Sequence, residues 1–112
     1  MTVQAPIIRS PLERSLERCA AICRETLAVY LDPTAAEESE FGQTLLAAVA
    51  AMQTVAAHDR SAPRHRAAAL KVAGALCRTA AQECRKHGLD KELLRAAEAC
   101  ERAGRICEHA LR

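Results

Sequence analysis

The cysteines are the residues whose type and spacing point to chemistry. The 112-residue chain has six of them, in pairs that are four, seven and seven residues apart: Cys19 and Cys23, Cys77 and Cys84, and Cys100 and Cys107. All three spacings place both side chains of a pair on one face of an α-helix. None matches the CxxC of a zinc knuckle or a thioredoxin-type redox site.

Cys19 and Cys23 form the pair that can share one ion. Thiolates one helical turn apart can hold a soft ion such as Cu(I), whereas zinc prefers four ligands in a tetrahedron. A disulfide within the helix is awkward because the two Cβ vectors are not aimed at each other. The alternative interpretation is that these thiols are small core residues, since free cysteine is among the most buried residue types.

The cysteines spaced by seven need a partner on another helix. Seven residues advance the helix axis by about 10.5 Å, so neither of these pairs can chelate one ion by itself. A short turn near residues 88–89 would make the last two helices antiparallel neighbours and place Cys77 in one layer with Cys100. This is the best predicted cross-helix site, and Cys23 is expected near the same layer. All six cysteines are therefore candidate metal ligands.

The remaining residues predict no catalysis. The four histidines lie near predicted helix ends, where surface positions are expected, and His87, close to Cys84, is the most plausible further ligand: His58, His65, His87 and His109. The chain has no Glu-x-x-His pattern of di-iron bundles, no phosphate-binding loop, no dinucleotide fingerprint and no nucleophile elbow. We therefore expect a protein that is not an enzyme.

Composition indicates a helical protein with a solvated surface. Half of the residues are apolar, yet Tyr30 and Phe41 are the only aromatic ones, and alanine and other strong helix formers dominate. The net charge of +2 comes from 16 basic and 14 acidic residues that are interspersed along the chain. This pattern does not indicate a basic surface for binding nucleic acid. The longest apolar run, residues 45–52, is far short of the roughly 20 residues that span a bilayer. With no signal-peptide pattern, we expect a soluble, cytoplasmic protein with reduced thiols.

Capping signals predict four helices in a single domain, residues 1–112. Their expected bounds are about 11–31, 35–58, 63–87 and 90–111. Ser10 precedes a proline and Glu13, which is a capping-box signal, and residues 34–37 form a second one. Gly88 is expected to end the third helix and Asp90 to cap the fourth. Short connections favour an all-α, antiparallel, up-down-up-down four-helix bundle, with every cysteine on its inward heptad-like seam.

The last third of the chain resembles the copper storage proteins, a family of cysteine-rich four-helix bundles that includes members once labelled ferredoxin-like. Residues 83–87, ECRKH, match the ECxxH element that closes the third helix in that family. The repeated CxxxC pattern is thinned here, and alanines stand at the other repeat positions of the last two helices: Ala73, Ala80, Ala96 and Ala103. The resemblance implies Cu(I) stored on core thiolates, often in a homotetramer. With two thiolates per ion, six cysteines would hold at most about three ions.

Three hypotheses follow. The first is low-capacity Cu(I) binding through core thiolates, in a homo-oligomer (dimer or tetramer) that exchanges the ion with a copper-donating or copper-accepting protein. The second is a structural or oligomeric bundle with inherited core cysteines, in which apolar residues outside the seam contact other subunits: Leu46, Val49, Leu76 and Leu94. The third, a thiol redox sensor, is disfavoured because seam cysteines should be buried.

Overall fold

The fold is all-α. The computed structural model describes residues 10–31, 38–58 and 63–112. Its helices are α1 (Pro11–Tyr30), α2 (Glu40–His58), α3 (Pro63–His87) and α4 (Lys91–Ala110). The described residues form no strand. None of the described helices combines the length and the apolarity that crossing a membrane requires.

Helix α1 begins where its capping signal predicts. The backbone N–H of Glu13 donates to Ser10 Oγ at 3.1 Å, and Pro11 occupies the first helical turn, where its missing N–H costs nothing. The helix ends at Tyr30, after which the N–H of Leu31 still donates to the carbonyl of Leu27 at 2.9 Å.

Helix α2 follows residue 38, which is itself helical, and a bend at Ser39. Its first residue is Glu40, and Ser39 acts as its cap because Ser39 Oγ accepts the N–H of Gly42 at 2.8 Å. The carbonyl of Ser39 also accepts the N–H of Gln43 at 2.9 Å. The second predicted capping box, residues 34–37, lies outside the described residues. Serine is a preferred N-cap residue, but Ser39 is not among the caps predicted from the sequence.

A three-residue turn joins α3 to α4. Helix α3 ends at His87, and Asp90 caps α4 by accepting the N–H of Leu93 on Oδ1 at 3.1 Å. Gly88 does not adopt a positive φ, so the turn does not use glycine's left-handed conformation. A Cβ at this position would lie 2.9 Å from Leu93 Cδ1, so the end of the Leu93 side chain would have to shift to accept a larger residue.

The four helices close a ring in which each packs against two neighbours. Helix α1 contacts α2 and α4, and α3 also contacts α2 and α4. At the α1–α4 interface Glu25 pairs with Arg95 while Tyr30 reaches Asp90, so residue numbers rise on one helix as they fall on the other. These two helices are therefore antiparallel. The core is built mainly from Leu, Ala and Cys side chains, and all six cysteines lie in it.

Helices α3 and α4 approach closely at two glycines. A Cβ on Gly104 would lie 3.5 Å from the carbonyl oxygen of Gly74 and 3.8 Å from Cys77 Cβ. A Cβ on Gly74 would lie 3.5 Å from Cys107 Cβ. These are ordinary van der Waals separations, so the interface is close but has room for a methyl group at either position.

We predict that Gly104→Ala stabilises the protein. Glycine inside a helix costs about 1 kcal/mol relative to alanine, and the added methyl group meets its neighbours at contact distance. The free energy of unfolding, measured by urea denaturation followed by circular dichroism, should rise by about 0.5–1 kcal/mol. A loss of stability would show that α3 and α4 are closer in solution than these distances indicate.

Candidate metal centre

Three thiols from two helices meet inside the core. Cys23 Sγ lies 3.5 Å from Cys100 Sγ, and Cys19 Sγ lies 4.0 Å from it. The three sulfur atoms all lie within 4.8 Å of one another, and all three residues are buried. We call these three residues the thiol cluster. Among the described residues it is the only group of three or more Cys, His, Asp or Glu side chains arranged to hold an ion.

Helix geometry and the α1–α4 contact together build this cluster. Cys19 and Cys23 are one turn apart on the buried face of α1, so they present two sulfurs to the same neighbour. Cys100 comes from the buried face of α4. Two polar contacts at the same interface, Arg95 with Glu25 at 3.2 Å and Tyr30 with Asp90, fix how far α4 slides along α1.

The cluster holds one negative charge more readily than two. Hydrogen bonds from Cys100 and then Cys23 lower the pKa of Cys19 to about 5 and outweigh the opposing effect of burial. The pKa of Cys100 is raised, first by its hydrogen bond to Cys19 and then by the one to Cys23. The contact with Cys100 lowers the pKa of Cys23, but the bond to Cys19 and burial together outweigh it and raise this pKa to about 12. At neutral pH the cluster thus carries one thiolate, at Cys19, beside two neutral thiols.

The sulfur spacing suits a single soft ion. If a thiolate–metal bond is about 2.3 Å, as for zinc, three sulfurs around one trigonal ion lie about 4.0 Å apart. The two sulfur–sulfur distances at Cys100, 3.5 and 4.0 Å, are close to that value. The cluster has three sulfur donors and no fourth ligand among the described residues, whereas zinc in structural sites takes four. The donor set therefore fits a soft, low-coordinate ion.

The other three cysteines lie outside the thiol cluster. Cys77, Cys84 and Cys107 are fully buried. Burial is the main cause that raises the pKa of Cys77 and of Cys84 to about 12, and that of Cys107 to about 11. They are neutral thiols at physiological pH, and none belongs to a group of three potential ligands.

The pairing of Cys77 with Cys100 stays a prediction, and the close sulfur contacts of Cys100 are with α1. Cys77 packs opposite Gly104, about one turn along α4 from Cys100, while Cys107 packs opposite Gly74. Cys100 contacts both cysteines of α1. The sequence predicted only Cys23 near the layer of Cys100.

His87 packs against aromatic rings rather than joining a metal-binding group. Its ring stacks on Phe41 with centroids 4.2 Å apart, and Tyr30 meets it edge-on at 5.9 Å. His65 and His109 are exposed, and the side chain of His58 lies outside the described residues. Residues from α1, α2, α3 and the cap of α4 thus meet at this end of the bundle. The sequence predicted Asp90 only as the cap of α4 and gave no signal for its bond with Tyr30.

We predict an abnormally weak acid at Tyr30. Its hydroxyl donates to Asp90 Oδ2, and this bond to a carboxylate is the main cause that raises the pKa of Tyr30 to about 12. The same bond, followed by the N–H of Leu93, lowers the pKa of Asp90. Because Tyr30 is the sole tyrosine and the chain lacks tryptophan, absorbance at 295 nm during alkaline titration reports this group alone. Asp90→Asn should return the midpoint toward 10, and an unchanged midpoint would exclude the bond in solution.

Comparison with known proteins agrees with the thiol cluster. The family model described as copper storage protein (Csp) matches residues 9–112. The chain belongs to the copper storage protein family. Searches of curated proteins and of solved structures find no match. Family membership and the buried cluster together associate the chain with copper, and this family is one of storage rather than of catalysis.

Proposed function

We propose that the protein binds Cu(I) through the thiolates of Cys19, Cys23 and Cys100. The observation that carries this proposal is the convergence of three buried sulfurs within 4.8 Å inside a member of the copper storage family. Soft thiolate donors select Cu(I) over harder ions, and the absence of a fourth ligand in the cluster disfavours a structural zinc site.

Proton release accompanies binding. Before the ion enters, Cys19 is the thiolate and the other two cluster residues carry their protons. A cation that takes all three sulfurs as ligands displaces two protons, and one that takes two sulfurs displaces one. The core around the cluster is apolar, so the ion also provides the positive charge that lets further thiolates form there.

The proposed capacity is low. Three of the six cysteines make up the thiol cluster, which takes the first ion. Cys77, Cys84 and Cys107 remain predicted ligands for further ions, within a limit of about three for six thiolates. On this proposal the protein is a non-catalytic, cytoplasmic Cu(I) carrier or store, assembled as a dimer or tetramer, and its partner is a copper-donating or copper-accepting protein.

We predict that Cys100→Ala weakens the tightest Cu(I) site. Anaerobic titration of the reduced protein against a chromophoric Cu(I) chelator should show uptake of one to about three ions by the wild type. The variant should hold its first ion more weakly and lose it to the chelator at lower chelator concentration, because only Cys19 and Cys23 would remain at the cluster.

Cys84→Ala is the matched control. Cys84 is as fully buried as Cys100 but stands outside the thiol cluster, so its removal leaves the same kind of cavity. This variant should retain the tightest site. Equal weakening of that site in both variants, or no competition with the chelator by the wild type, would contradict the proposal.

The affinity for Cu(I) should increase with pH. Between pH 6 and 8 Cys19 is ionised while Cys23 and Cys100 are protonated, so each proton displaced changes the apparent Kd about tenfold per pH unit. Binding by all three sulfurs predicts about a hundredfold decrease in Kd per unit. The measurement is the same chelator competition at several pH values, corrected for protonation of the chelator. An affinity independent of pH would rule out thiolate coordination.

A structural role is the second candidate function. Its supporting observation is that Cys77, Cys84 and Cys107 fill the core as neutral thiols without forming a group of ligands. Of the residues predicted to contact other subunits, Leu46 and Leu94 are exposed. Val49 is buried within the chain, so that part of the prediction is wrong. Unchanged oligomeric state and unfolding free energy on Cu(I) addition would favour this candidate.

A further inference from the structure

A pocket at the end of the bundle away from Tyr30 combines an apolar wall with a concentration of arginines. It lies between the start of α1, the α3 segment 66–78 and the end of α4, and has a volume of about 770 Å³. Leu12, Ile106 and Ala110 supply apolar surface. The volume falls within the range of about 300–1,000 Å³ that small-molecule sites occupy.

Arginines from two helices surround this pocket. Arg66 and Arg78 come from α3, and Arg102 and Arg105 from α4. Five arginines line the pocket in all, in a chain whose net charge is only +2. From the sequence alone, the basic residues around position 66 would be interpreted as an ordinary solvated surface. The arginines of α4 that line the same pocket are some 40 positions further along the chain.

Part of the positive charge of the pocket is uncompensated. Glu108 is the one lining residue with a side-chain carboxylate, and it is paired with Arg78. Among the described ion pairs, none involves Arg102 or Arg105. Two guanidinium groups therefore remain available beside an apolar surface.

We propose that this pocket binds a small amphiphilic anion, with a carboxylate or phosphate head and an aliphatic body. The guanidinium fork matches both head groups with paired N–H donors, and the apolar wall accepts the aliphatic part. The pocket has no Phe, Tyr or Trp, the side chains that most often form stacking platforms for bases. No cysteine lines it, so the site is separate from the thiol cluster and does not rest on copper binding.

The test uses the fluorescent anion 8-anilinonaphthalene-1-sulfonate as the probe, with the reduced, metal-free, full-length chain. The wild type should bind the dye with a blue-shifted emission, and decanoate should displace it at lower concentration than decanol or inorganic phosphate. The double variant Arg102→Gln/Arg105→Gln should bind dye and decanoate at least tenfold more weakly. Both side chains are exposed, so the fold should survive, and circular dichroism checks this.

Arg18→Gln, an exposed change on α1 outside the pocket, is the matched control and should bind within twofold of the wild type. Dye binding by the double variant equal to that of the wild type would overturn the proposal. Displacement by decanol as strong as by decanoate would show that charge is not recognised and would also overturn it. Equal displacement by inorganic phosphate would overturn the assignment of an amphiphile.

Discussion

The contact of Cys100 with the two thiols of α1 is the interaction on which the rest of the site depends. It joins α1 and α4 deep in the core, and it is the main cause that lowers the pKa of the buried Cys19 thiol. Without Cys100, the same charge would have to form in an apolar interior with little compensation. The cluster therefore couples the packing of α4 on α1 to the chemistry of its sulfurs.

Small side chains make this contact compatible with a stable fold. Alanines and glycines at the helix interfaces let the backbones approach, as at Gly74 and Gly104, and cysteine adds only one sulfur to such a surface. The remaining cysteines, Cys77, Cys84 and Cys107, fill the same core as neutral thiols. Every cysteine in this bundle is therefore a core residue. Those of the thiol cluster are also placed to act as ligands, because a second helix brings further sulfurs within reach.

Local signals in the sequence predicted most helix ends, whereas the partners of each cysteine required the structure. Ser10 and Asp90 act within three residues of themselves, so their capping roles follow from type and spacing. The heptad-like pattern also placed the cysteines in the core. It fixes the face of each helix but not its position along the axis, because a slide of about one turn leaves the same face inward. The contact of Cys100 with Cys19 as well as Cys23 therefore needed the structure.

X-ray absorption spectroscopy at the copper edge, on protein loaded with one equivalent of Cu(I), tests the central claim most directly. The account predicts an all-sulfur first shell of three sulfur atoms, which falls to two in Cys100→Ala. Nitrogen or oxygen atoms in the first shell, or a two-sulfur shell identical in the wild type and in Cys100→Ala, would contradict the assignment of the ion to the thiol cluster.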